Sequence, residues 1–166
     1  RGKAYQIKMY ELPEGKRATK GKSVMNFIAL GDDEKVTSIL PMPKNLKQIE
    51  GSLLMVTAQG TAKKVSAKSF HDVRSSGIIA IRLEAGDKLI SVSHVEKGDD
   101  ASVVTREGMS IRFKESDIRE MGRTAIGGYL EGNTSYFRED GISDGFSTEL
   151  RRFNIFLFSC NLLVNP

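Results

Sequence analysis

The chain has 166 residues, 28% charged and 39% hydrophobic, with a formal net charge of +4, a composition that excludes both a disordered tail and a bilayer-spanning protein. No apolar run reaches the roughly 18 residues a membrane helix needs and Arg1-Gly2-Lys3 opens no secretory signal, so the expected setting is soluble and intracellular, with no membrane partner. The single cysteine, Cys160, excludes an internal disulfide, and no Cys/His cluster has zinc spacing.

Charge is unevenly distributed. Residues 1–128 hold 22 Lys+Arg against 16 Asp+Glu, whereas residues 129–166 hold 3 against 5. Aromatic residues divide the other way, 5 in the first 128 positions and 7 in the last 38, and those last 38 contain neither lysine nor methionine. The character of the chain changes near Gly128.

The first element in chain order starts at Gly2 and runs into a short, partly alternating segment. The same arrangement returns at Gly60 and Gly108, where the glycine is preceded by a strand-like run: Val56-Thr57-Ala58-Gln59-Gly60 recurs as Val104-Thr105-Arg106-Glu107-Gly108. Two apolar runs meeting at a glycine predict a β-hairpin whose turn needs positive φ. Superposing the three glycines puts Ile7, Val65 and Phe113 in one column and Gln6, Lys64 and Arg112 in the next. Strand side chains alternate between faces, so the first column is expected in a core and the second in solvent.

A second hairpin follows. Leu30 to Ile39 aligns with Leu83 to Val92 without a gap, turning at Gly31-Asp32-Asp33-Glu34 and at Glu84-Ala85-Gly86-Asp87. The polar stretches Asn45 to Gly51 and Lys97-Gly98-Asp99-Asp100 read as connections between repeats. Two hairpins in each unit of about 50 residues give about four strands, the size of a propeller blade. The expected fold is therefore all-β, a partial disc of blade repeats. Residues 1–46 form a blade lacking its first strand, 47–96 a second blade and 97–128 the start of a third, and 129–166 is an anomalous C-terminal segment.

Basic residues recur at matched places. After the first turn come Lys3 and Lys8, then Lys63, Lys64 and Lys68, then Arg112 and Lys114. Between the hairpins lie Arg17, Lys20 and Lys22, then Arg74, then Arg119 and Arg123. Repeated around an axis, such groups form a rim stripe suited to phosphates along a duplex. The same residues equally suit a solvated face that keeps edge strands from aggregating.

Other chemistry finds little support. Glu34 and Asp87 fall in turns, where carboxylates serve the backbone, and Asp32-Asp33-Glu34 lacks the ligand pattern of a calcium loop. Gly21-Lys22-Ser23 has its preceding glycine, Gly15, one residue too far away for a phosphate loop. His71 and His94 have no partner at motif spacing, and Cys160 is distant from any candidate base. Neither a catalytic residue nor a metal or cofactor ligand is expected here.

Several ordered motifs resemble successive blades of the C-terminal domain of bacterial DNA gyrase A. They are Gly2-Lys3-Ala4-Tyr5, Tyr10-Glu11-Leu12-Pro13-Glu14, Ala18-Thr19-Lys20-Gly21, Ser76-Gly77-Ile78-Ile79-Ala80-Ile81, Gly86-Asp87-Lys88-Leu89-Ile90-Ser91-Val92 and the run from Glu115 to Ala125. The resemblance implies a β-pinwheel, a propeller-like disc whose basic rim bends and wraps double-stranded DNA and sets the handedness of strand passage in ATP-dependent negative supercoiling. It further implies a non-catalytic part of a type IIA topoisomerase, assembled with the rest of gyrase A and with gyrase B as a heterotetramer in the bacterial cytoplasm, associated with the nucleoid. ATP and Mg then act elsewhere in the complex, and Tyr5, Tyr10, Tyr129 and Tyr136 inherit no catalytic role.

Two departures accompany the resemblance. The family disc has about six blades against two and a half to three here, and the basic glycine-rich box that gyrase uses for wrapping is absent. The related C-terminal domain of topoisomerase IV lacks that box and is the nearest alternative, a propeller-like scaffold for protein partners being the other. Beyond Ala125 the repeat register also stops, so residues 129–166 read as out-of-frame or foreign sequence, or as a divergent final strand pair.

Overall fold

The computed structural model describes residues 1–18, 20–31, 34–43, 48–74, 76–104 and 110–130, together with the backbone of 136–137 and 156–159. Among these the strands are, in chain order, β1 (Lys3–Ala4), β2 (Ser52–Thr57), β3 (Thr61–Ser66), β4 (Ile78–Ile79), β5 (Leu89–Val95), β6 (Asp100–Val104), β7 (Ser110–Lys114), β8 (Gly128–Tyr129), β9 (Tyr136–Phe137) and β10 (Phe156–Ser159). Helical geometry among the described residues is limited to single 3₁₀ turns such as Ala67–Phe70 and Glu115–Asp117. The all-β expectation holds.

The strands form three antiparallel sheets: β1-β4, β5-β2-β3-β8 and β10-β6-β7-β9. Each full repeat opens with a hairpin, β2–β3 and β6–β7. The first turns at Gly60, whose φ is 81° and whose N–H donates to the Thr57 carbonyl at 3.1 Å. Thr57 Oγ1 also accepts the Thr61 N–H at 3.1 Å, tightening the same turn. The matching Gly108 lies outside the described residues.

The second hairpin is built differently from the sequence expectation. Both turns close, Glu34 N–H to the Gly31 carbonyl at 2.9 Å and Asp87 N–H to the Glu84 carbonyl at 3.1 Å. Only the later limb in the second repeat, β5, is a strand, and it pairs with β2. The strand on the outer edge of β1 and of β3 instead comes from the following repeat. Ile78–Ile79 pairs with β1, and Gly128–Tyr129 pairs with β3 in the same register, Lys3↔Ile79 corresponding to Thr61↔Tyr129. In the third sheet β10 lies on β6 and β9 on β7, the order seen for β5 on β2 and β8 on β3.

Sandwiching explains the two kinds of strand pattern. Strand β2, Ser-Leu-Leu-Met-Val-Thr, is buried at every position because its sheet is covered on both faces. Leu54, Val56, Ala62 and Val95 meet Ala101, Val103, Ile111 and Phe113 of the third sheet. On the opposite face Leu53, Met55, Val65 and Phe70 pack with Ala80 and Ile81, joined by Ala4 and Leu40 of the first repeat. Strand β7 alternates, with Ile111 and Phe113 buried and Arg112 and Lys114 exposed. The core column thus appears as expected, Val65 and Phe113 buried and Ile7 half-buried.

Replacing Gly60 by valine forces a β-branched side chain into positive φ, at a cost of roughly 1–3 kcal/mol. Chemical denaturation should show that loss, and an unchanged midpoint would overturn the turn assignment.

Candidate nucleic-acid interface

The exposed edge of β3 is followed along its length by residues 115–130 of the next repeat. Lys64 forms a parallel bridge with Glu120, and its carbonyl accepts the Met121 N–H at 2.8 Å. The chain then leaves the edge in a turn, Ala125 N–H to the Gly122 carbonyl at 3.1 Å, and returns at Gly127 to enter β8. At Gly127, φ is 115° and a Cβ would stand 2.9 Å from the Ala62 carbonyl oxygen, so only glycine lets the returning chain approach β3 this closely.

Two of the expected phosphate ligands lie inside the protein. Lys63 has 0% exposure, and its Nζ donates to the carbonyls of Ala80 (3.0 Å), Arg123 (2.5 Å) and Ala125 (2.8 Å). Burial, with a smaller contribution from Arg123, pulls its pKa down to about 8, while the three carbonyl acceptors favour the ammonium. Lys64, on the opposite face, donates to the Glu115 carbonyl at 2.9 Å and pairs with its carboxylate at 2.5 Å. The expected solvent column therefore fails at Lys64, because the third sheet covers that face, although Gln6 and Arg112 are exposed. Neither Lys63 nor Lys64 presents its cation to a ligand outside.

The remaining expected cations lie nearer solvent. Lys3, Lys8, Arg17, Lys20, Lys22, Lys68, Arg74, Arg112, Lys114 and Arg119 are exposed, and Arg123 is half-buried. Some already have acidic or aromatic partners. Lys3 Nζ is 3.1 Å from Glu34, Arg112 pairs with Asp100 at 2.5 Å across β6 and β7, and Lys8 lies 5.6 Å from the centre of the Tyr10 ring. Lys68 borders a cleft shared with Lys97, Glu50, Glu96, Glu115 and Glu120, a mixed and largely acidic surface.

Arg74 and Arg123 are different, because each lies in a turn that leads into a crossing strand, Arg74 three residues before Gly77 and Arg123 four before Gly127. Arg74 precedes Gly77 and its carbonyl closes the turn onto the Gly77 N–H at 2.9 Å; β4 follows immediately. Arg123 precedes Gly127 in the turn that leads into β8. Arg17 stands four positions before Gly21, as Arg123 stands before Gly127. Arg119 flanks the third member of this series, Lys20 and Lys22 the first.

Sequence spacing did not reveal the groups that hold these segments. Glu115 and Glu120 act through Lys64 and Ser52, the Ser52 hydroxyl donating to Glu120 at 2.7 Å, contacts that cross more than 50 residues of chain. Glu34 accepts from the Gly31 N–H at 3.0 Å and the Tyr5 hydroxyl at 2.8 Å. Asp87 accepts from the N–H groups of Gln59 and Lys88 at 3.1 and 2.7 Å. Both carboxylates thus serve their turns. His94 and His71 contact the Glu50 and Lys68 carbonyls at 2.8 and 2.9 Å. Cys160 lies outside the described residues, and among the described residues no group of three His, Cys, Asp or Glu is placed to hold a metal.

The chain matches a family model described as the DNA gyrase C-terminal domain, beta-propeller, over residues 1–41, 51–96 and 99–127. This chain belongs to the DNA gyrase A C-terminal domain family. DNA gyrase A of Haloquadratum walsbyi is 42% identical over 132 residues, which is 76% of this chain and 15% of that protein. The Escherichia coli K12 protein is 38% identical over 127 residues, 76% of this chain and 14% of that one. The chain therefore spans about one seventh of these relatives. Among solved structures, the C-terminal domain of DNA topoisomerase IV aligns with a TM-score of 0.69 at 25% identity, over 81% of this chain and 42% of that one. The DNA gyrase A C-terminal domain aligns at 0.60 and 27% identity, over 77% and 39%. The family fold is the β-pinwheel, in agreement with the crossing strands.

Two outcomes follow from the charges. The Gly31 N–H, the Tyr5 hydroxyl and Lys3, in that order, hold the Glu34 pKa down to about 2 from 4.5. A lowered carboxylate contributes stability above about pH 4.5 that is lost as pH falls towards 2. The wild-type protein should lose stability more steeply over this window than Glu34→Gln, and parallel pH profiles would remove Glu34 from the turn. Lys63→Ala should lower stability by about 3 kcal/mol, through three abandoned carbonyls and a cavity; a loss below about 1 kcal/mol in urea unfolding would show that the ammonium is not needed.

Proposed function

We propose that this chain binds and wraps double-stranded DNA as part of gyrase A, setting the handedness of strand passage in ATP-dependent negative supercoiling. The observation that supports this reading is that each turn leading into a crossing strand carries an arginine, Arg74 before β4 and Arg123 before β8, with Arg17 spaced from Gly21 as Arg123 is from Gly127. Guanidinium groups repeated at one place per blade meet phosphates without reading bases. A duplex has a persistence length of about 500 Å, so a tight wrap requires many such contacts to offset its elastic cost. In this reading the exposed Lys8, Lys20, Lys22, Lys114 and Arg119 add further phosphate contacts, and the module itself carries out no covalent chemistry. DNA cleavage and ATP hydrolysis belong in this reading to the rest of gyrase A and to gyrase B, its partners in a cytoplasmic heterotetramer.

The blade boundaries at 46/47, 96/97 and 128/129 are part of the same proposal. So is a divergent or out-of-frame origin for 129–166, for which a third-blade continuation in another reading frame is the test.

Duplex binding between roughly 50 and 200 mM salt tests the reading. Affinity should fall with a slope of about 0.9 log units for each phosphate neutralised and be indifferent to sequence. Arg17→Gln, Arg74→Gln and Arg123→Gln together should reduce that slope by about 2 to 3 and leave unfolding unchanged. Ligation of nicked circles with the protein bound should shift the linking number. Binding that does not respond to salt would overturn the reading in favour of a protein-partner scaffold.

A further inference from the structure

We infer that Lys63, although buried, is a positioning residue for DNA binding: its ammonium fixes the loop that carries Arg123. The inference rests on the DNA-binding reading above and concerns how one part of that surface acquires its shape.

The loop lies between two anchors on β3. Glu120 is bridged to Lys64, and Gly128 pairs with Ala62. Residues 121–127 must therefore be accommodated opposite the single position Lys63, and the chain arches outward there. An arch turns backbone carbonyls towards the sheet with no strand partner, and buried carbonyls require donors. Lys63 Nζ supplies them, gathering the carbonyls of Arg123 and Ala125 on the loop and Ala80 on the preceding segment around one centre. The Arg82 N–H adds a weaker bond to Ala125 at 3.4 Å. Three donors on one ammonium determine the carbonyl orientations at both 123 and 125, and with them the direction in which the Arg123 side chain leaves the loop.

The first repeat provides an internal comparison. Tyr5 occupies the position equivalent to Lys63, and Gly77 the position equivalent to Gly127. A Cβ at Gly77 would stand 2.7 Å from the Tyr5 ring, and one at Gly127 would stand 3.2 Å from the Lys63 Cβ. Both side chains therefore lie beneath the returning glycine of the next repeat. Tyr5 sends its hydroxyl to Glu34, away from the 74–77 turn. The loop at 121–127 is held by a charged donor at this position and the 74–77 turn is not, so the shape of the former depends on one side chain in a way that the shape of the latter does not.

Four proteins test this as full chains: wild type, Lys63→Met, Arg123→Gln, and the double variant, each titrated with a short duplex at several salt concentrations. Methionine keeps the side-chain length and removes the donors. Lys63→Met is expected to weaken binding several-fold, roughly 10-fold at most, and to lower the salt slope by about 1, as when one phosphate contact is lost. In the Arg123→Gln background the same change should have no further effect, because it acts through that side chain. An unchanged affinity and slope in Lys63→Met, or a full additional loss in the double variant, would overturn the inference. Should Lys63→Met fail to fold, hydrogen exchange in the wild type decides: duplex must slow exchange at 119–125, and no protection there overturns the assignment. A wild type whose binding ignores salt would sink the DNA-binding reading itself, before any variant is compared.

Discussion

The outer edge of β3 is the constraint on which the remaining architecture depends. An unpaired strand edge in the middle of a sandwiched sheet exposes donors and acceptors that must be met. Here the next repeat meets them by the bridge at Glu120 and by the pairing of Gly128–Tyr129, while the Lys63 ammonium of β3 holds the carbonyls of the loop between. Because β4 does the same for β1, consecutive repeats are linked by hydrogen bonds as well as by apolar faces. Each repeat is thereby fixed in orientation relative to its neighbour, and each turn before a crossing strand comes to an equivalent place.

That arrangement also divides the lysines into two kinds. A buried cation is tolerated only where carbonyls or a carboxylate surround it, and Lys63 and Lys64 satisfy this with three carbonyls and with Glu115 respectively. Both serve the union of the second and third repeats, so the formal charge of +4 overstates what an external polyanion meets on the described surface. Ion pairs such as Lys3 with Glu34 and Arg112 with Asp100 neutralise exposed cations at particular places. The edge turns, with Arg74 and Arg119, keep their charge towards solvent. In the DNA-wrapping reading, affinity would come from the number and spacing of these edge cations rather than from total charge.

Much of the local structure is legible in the sequence because short-range rules govern it. The glycine at 60 announces its hairpin, the alternating Ile111 and Phe113 announce a one-sided strand, and Glu34 and Asp87 read as turn carboxylates. Where the sequence misleads, the cause is a neighbour across the fold. Chain order puts Ile78–Ile79 inside the 47–96 repeat, yet it pairs with Lys3–Ala4, a partner 75 residues away in sequence. Strand parity assigns Lys64 to solvent, a rule that holds only for a sheet with one free face. Residues 129–166 show no repeat pattern in sequence, while the backbone of β9 and β10 occupies the edge places that β8 and β5 occupy one sheet earlier.

The amino-acid sequence by itself determined that the chain forms repeated β units, where their turns fall and that its first 128 residues carry the motifs of one topoisomerase domain family, because turns, alternation and ordered motifs are written in residues close together. Tertiary structure alone decided which repeat supplies each edge strand and which lysines face inward. Those outcomes depend on what covers a face or an edge, and the covering groups come from distant parts of the chain.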